Sequence, residues 1–84
     1  MIAKMSDEEL ISSIRKSFLQ AFDTEPETVT LESTPEDIPG WDSLGHTSLI
    51  SHLEALFSIS FDLDEMMEME DVAAIAGVLR KRMQ

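Results

Sequence analysis

Asp42-Ser43 followed by His46 is the set of side chains in this sequence best equipped for chemistry: a hydroxyl with a carboxylate beside it and an imidazole three residues on. One use for such residues is an activated nucleophile. A hydrolase elbow reads G-x-S-x-G on a strand-to-helix turn, whereas Gly40-Trp41-Asp42-Ser43-Leu44-Gly45 has one residue too many and follows no strand pattern. The chain is also too short to add an oxyanion hole and a substrate pocket. A second use is covalent attachment. A serine where a loop meets a helix N-terminus is exposed, and a phosphodiester formed on it would lie beside free backbone N–H groups and the positive end of the helix dipole. The bland alternative is that Asp42 and Ser43 only cap the helix, a role worth about 1 kcal/mol and found at many helix starts.

Metal chemistry is poorly served. His46 and His52 lie six residues apart and point to different sides of a helix. Asp62-Leu63-Asp64 opens like a calcium loop. Met66 and Met67, however, fill its fifth and sixth positions and Ala73 its twelfth, where oxygen ligands and glycine are needed. No metal site is expected, and the acidic run reads as a solvated face.

The elements that would position Ser43 follow from periodicity. Ser6 with Glu9 makes a capping box, and Leu10, Ile14, Phe18, Ala21 and Phe22 recur at helical steps, which predicts a helix over 6–22. From Asp23 to Trp41 the periodicity stops and prolines stand at 26, 35 and 39, so a long loop is expected, pinned to the core by Leu31, Ile38 and Trp41. A second helix over 42–57 follows, with Leu49, Leu53 and Leu56 turned inward and Leu44, Ser48, Ser51 and Ala55 outward. Ser58-Ile59-Ser60-Phe61 alternates like a strand but has nothing to pair with, so it reads as a connector. A short helix over 63–69 and a last one over 71–83 complete the pattern. In the last, Val72, Ile75, Ala76, Leu79 and Met83 form the stripe, and Arg80, Lys81 and Arg82 suit the negative end of the dipole. The fold class expected is all-α: a small four-helix bundle, three helices long and one short, in a single domain over 1–84.

Composition narrows the partners. Seventeen acidic residues against six basic ones give a formal charge of -11, which repels nucleic acid and anionic membranes and favours basic protein surfaces. Without cysteine there are no disulfides or thiolate metal sites, and a reducing compartment is compatible. Met1-Ile2-Ala3-Lys4 leads directly into the first helix with no apolar run of signal-peptide length, and nothing approaches a membrane span. Cytoplasmic residence and a monomer are expected.

Asp42-Ser43-Leu44, set after a long loop and before an amphipathic helix in a short acidic helical chain, resembles the modification motif of acyl carrier proteins. The likeness extends over nearly the whole chain through helix order, the long first loop and the short third helix. It implies a carrier and not an enzyme: Ser43 modified with 4'-phosphopantetheine from coenzyme A by a phosphopantetheinyl transferase, the arm's thiol then holding an acyl group as a thioester. Acyl-activating, condensing or acyltransferase enzymes would be its other partners. The resemblance also gives exposed Leu44 a role as a partner contact, together with Ser48, Glu54, Glu65 and Glu68.

The chain departs from the fatty-acid carriers it resembles in one respect. Only Glu54 is acidic between Leu44 and Phe57, while Asp62, Asp64, Glu65, Glu68, Glu70 and Asp71 crowd the next segment. Recognition is therefore expected to shift toward the short third helix, and a carrier for a specialised lipid or secondary-metabolite pathway, such as a polyketide pathway, is favoured over general fatty acid biosynthesis. Two alternatives stand: a peptidyl or aminoacyl carrier, although Gly40-Trp41-Asp42-Ser43 lacks the Gly-Gly-x-Ser pattern those more often show, and an unmodified helical adaptor for basic partners. Met66, Met67 and Met69 either fill the core or line an adaptable acyl pocket.

Overall fold

The computed structural model describes residues 5–83; the leader-free start expected of Met1-Ile2-Ala3-Lys4 and the last residue of the 1–84 domain lie outside them. The described residues are all-helical, with four α-helices and no strand: α1 (Asp7–Phe22), α2 (Ser43–Phe57), α3 (Leu63–Glu68) and α4 (Val72–Arg82). None of these helices is long and apolar enough to cross a membrane.

Each helix begins where a side chain can satisfy its free N–H groups. Ser6 Oγ accepts from Glu9 N at 3.2 Å while Glu9 Oε1 accepts from Ser6 N at 3.1 Å, which closes the expected capping box. Asp62 and Glu65 close a second box at α3, and Asp71 Oδ1 accepts from Ala74 N at 2.8 Å to start α4. Ser6, Asp42 and Asp71 cap from outside, so α1, α2 and α4 begin one residue later than the periodicity predicts; α3 begins at Leu63 as expected, and α3 and α4 each end one residue early, at Glu68 and Arg82.

The core is one connected set of buried side chains. Leu10, Ile14 and Phe18 of α1 meet Leu49, Ile50, Leu53 and Phe57 of α2, and Val72, Ile75, Ala76, Val78 and Leu79 of α4. Ala21, Phe22 and Met83 are only partly buried at its margin. Leu56, expected inward, is 38% exposed, and Phe57 takes its place at 5%. At 100° per residue the buried arc of α2 centres between Leu53 and Phe57, about 75° away from Leu56.

Residues 23–42 join α1 to α2 through turns and a short 3-10 segment, Pro26–Thr28. Val29, Ile38 and Trp41 are its buried anchors, whereas Leu31, expected as one, is 46% exposed. The cause is a turn: Ser33 N donates to the Thr30 carbonyl at 3.0 Å and Thr30 N to Ser33 Oγ at 3.0 Å, so Leu31 sits at the tip and Ser33 is buried. Hydrogen bonds to α1 and to the start of α4 lash the middle of the segment down. Arg15 Nε donates to the Val29 carbonyl at 2.7 Å, and Val72 N donates to the Ser33 carbonyl at 3.1 Å.

The C-terminal end of α4 is held by Arg82. Its guanidinium donates to both carboxylate oxygens of Glu65, at 2.8 and 2.5 Å, and to the Ser60 carbonyl at 2.6 Å, and it lies 5.9 Å from the Phe61 ring centroid. One cation thereby fixes α3 and the connector before it to α4.

Candidate functional site around Ser43

Ser43 is the first residue of α2 and is exposed. The sequence leaves open which of Asp42 and Ser43 caps the helix; Asp42 does, its Oδ1 accepting from Gly45 N at 2.9 Å with extended backbone at the cap. The Ser43 hydroxyl is therefore not spent on capping and stands in the first helical turn, where backbone N–H groups and the helix dipole favour an anionic substituent.

Two glycines shape the approach to this point. Gly40 has φ of 90°, a left-handed conformation that disfavours any β-carbon. Gly45 lies so close to the Gly40 carbonyl that a β-carbon on it would collide with that backbone oxygen, and also with the Phe22 ring at 2.8 Å. The turn before Ser43 is thus folded tightly against α1 and the first turn of α2. Neither requirement shows as periodicity, so the sequence reading gave both glycines no structural role.

Trp41 anchors the turn. Its indole stands edge-on to Phe18 at 4.9 Å between centroids and 85° between planes, and its Nε1–H donates to His46 Nδ1 at 2.9 Å. The Trp41 and His46 rings lie 18° from parallel. His46 Nε2 is in turn 3.2 Å from the Met66 carbonyl oxygen of α3. His46 thus bridges the loop and the short helix. His52 is engaged elsewhere, its Nδ1 lying 2.9 Å from the Ser48 carbonyl of its own helix. Among the described residues no group of three or more His, Cys, Asp or Glu is arranged to hold a metal ion.

A groove of about 800 Å³ opens beside Ser43. Its apolar lining comes from Pro35, Trp41, Ile50, Met66, Met67 and Met69. Met69 is buried in the core, Met66 half-buried and Met67 68% exposed, so the three methionines grade from core filling to groove wall. A second groove of about 490 Å³ lies among α1, residues 30–32 and α4, but its basic residues are committed: Arg80 pairs with Asp7 at 3.0 Å and Arg15 holds the Val29 carbonyl.

The residues expected to contact partners divide in two. Leu44, 85% exposed, stands free beside Ser43, and Glu68 is exposed on α3. Ser48 is half-buried. Glu54 turns its Oε2 to accept from Phe61 N at 2.8 Å, tying α2 to the connector. Glu65 is committed to Arg82, and that hydrogen-bonded guanidinium pulls its carboxyl down to about 2 against the opposing effect of burial. Glu54 and Glu65 therefore hold the fold with the oxygens a partner would use. Sequence spacing could not reveal this, because the partners lie seven and seventeen residues away.

Comparison with protein-family models and with curated proteins finds no match for this chain.

Proposed function

We propose that this chain is an acyl carrier protein in which Ser43 bears a 4'-phosphopantetheine arm. The observation that carries the reading is the setting of Ser43: an exposed serine at the first position of α2, relieved of capping by Asp42, at the edge of a groove walled by Trp41, Ile50 and three methionines. The arrangement reads as a small four-helix bundle in which the long loop delivers that serine to the head of α2. The arm would supply a terminal thiol that holds an acyl group as a thioester. The protein's own residues have three tasks. Asp42 fixes the helix start, the first-turn N–H groups and dipole accommodate the phosphodiester, and Leu44 offers an apolar contact beside it.

The residues present suit the group. A serine whose hydroxyl was capping its own helix could be esterified only by giving up that bond, and here the cap is the neighbouring carboxylate. In this reading the chain catalyses nothing: a phosphopantetheinyl transferase modifies it, and acyl-handling enzymes with basic surfaces dock on it. With Glu54 and Glu65 engaged internally, Leu44 and Glu68 remain as contacts on α2 and α3, which favours a carrier dedicated to a specialised pathway. The test is incubation with coenzyme A and a broad-specificity transferase, read as transfer of one phosphopantetheine to the wild-type chain. A chain that stays unmodified while a known carrier in the same reaction is modified would favour an unmodified adaptor.

A further inference from the structure

The bond pattern around His46 fixes which of its nitrogens carries the proton. An indole N–H only donates, so Nδ1, 2.9 Å from Trp41 Nε1, must be the bare nitrogen. The neutral ring then carries its proton on Nε2, which faces the Met66 carbonyl at 3.2 Å and donates to it. One imidazole thus spans the groove, joining its loop wall at Trp41 to its α3 wall at Met66. α3 is only six residues long and contributes no fully buried side chain of its own, so few other contacts hold it in place. The Glu65–Arg82 pair ties it to α4.

We propose that the neutral, Nε2-protonated imidazole of His46 is a latch tying the loop wall of the Ser43 groove to its α3 wall, and that a proton added at Nδ1 releases it. The added proton places two N–H donors, those of Trp41 and His46, against each other, and the Trp41 bond is lost. No bond is made or broken besides these hydrogen bonds, and the proton comes from solvent. The ionisable groups that line this groove besides His46 are Asp42 from the loop, Glu54 from α2 and Glu70 from the α3–α4 turn, all carboxylates. Two of them are already engaged, Asp42 Oδ1 accepting from Gly45 N and Glu54 Oε2 from Phe61 N. An imidazolium formed there enters an anionic setting. Trp41, freed from its partner, loses its tether to α2 while keeping its edge contact with Phe18. Nε2–H remains a donor to the Met66 carbonyl in both states, so the wall that is released is the loop wall carrying Trp41. His46 is a positioning residue: it sets the width of the groove and touches no reacting atom. The latch itself does not depend on what Ser43 carries; only its consequence, a groove whose access for a tethered chain changes with pH, rests on the carrier reading.

The test uses the unmodified full chain, whose one tryptophan is the reporter. Between pH 8 and pH 5 the wild type is expected to shift its Trp41 emission to the red and to gain about two-fold in acrylamide quenching, with helical circular dichroism unchanged. His46→Asn, which can accept from Trp41 through its side-chain oxygen and cannot titrate, is expected to stay flat over that range. His52→Gln is expected to follow the wild type. Nitrogen NMR of the imidazole supplies a reading that needs no variant: at pH 8 His46 is expected as the Nε2–H tautomer. A flat wild-type response, a His46→Asn protein that responds like wild type, or an Nδ1–H tautomer overturns the latch. None of these outcomes bears on whether Ser43 is modified.

Discussion

Asp42 Oδ1 accepts the Gly45 N–H at 2.9 Å, so the residue immediately before Ser43 holds the helix start and leaves the serine hydroxyl to other uses. Asp42→Ala removes that acceptor and is expected to cost about 1 kcal/mol, whereas Asp42→Asn keeps most of the cap. Urea denaturation checks the order. If Asp42→Ala matched wild type while Ser43→Ala lost stability, the cap would have been assigned to the wrong residue.

The two helical glycines are expected to respond oppositely to the same substitution. A β-carbon at Gly77, inside α4, meets nothing within 4 Å, so Gly77→Ala should gain about 1 kcal/mol from helix propensity. At Gly45 the β-carbon meets the Gly40 carbonyl and Phe22, so Gly45→Ala should lose about 1–3 kcal/mol despite the same propensity gain. Melting temperatures of the pair measure the difference, and a stabilised Gly45→Ala would show that the loop and α2 are not held this closely.

Val29 and Leu31 stand two residues apart in one segment, yet one is buried and the other is a turn tip. Val29→Ala is expected to destabilise by about 1–3 kcal/mol through a cavity under α1, and Leu31→Ala by no more than about 0.5 kcal/mol. Equal losses at the two positions, by chemical denaturation, would contradict the anchoring described.

Glu65 links stability to acid. Its carboxyl is held at about 2, below its ordinary value of 4.5, chiefly by the Arg82 hydrogen bonds. A depressed folded value means the ionised form stabilises the fold: the contribution is whole above about pH 4.5 and is lost as pH falls toward 2. Glu65→Gln is expected to lower stability at neutral pH and to lose less than wild type on acidification through that window. Urea midpoints at pH 7 and pH 3 measure it, and parallel acid limbs for the two proteins would refute the assignment.

How much of this was legible in the sequence depended on how local its cause was. The Ser6–Glu9 box, the α1 and α4 stripes and the start of α2 are written within a few residues and were readable. The start of α3 at Leu63 is where the sequence places it, and the Asp62–Glu65 capping box there has the same local spacing. Leu31 was misplaced because periodicity says nothing inside a loop, where the Thr30–Ser33 turn decides which side chain points in. Leu56 was misplaced because both it and Phe57 fit a helical spacing, and only packing chooses between them. Glu65 and Glu54 read as free surface acids because their partners, Arg82 and the Phe61 N–H, are brought near only by the fold. The Trp41–His46–Met66 chain was invisible for the same reason, since it joins a loop to two helices.

The central claim is that Ser43 is an attachment point, and intact mass spectrometry after incubation with coenzyme A and a broad-specificity phosphopantetheinyl transferase tests it most directly. The wild type is expected to gain the mass of a single phosphopantetheine, the latch variant His46→Asn to gain it as well, and folded Ser43→Ala to gain none. A wild-type mass that does not change, or a Ser43→Ala protein that is still modified, would contradict it.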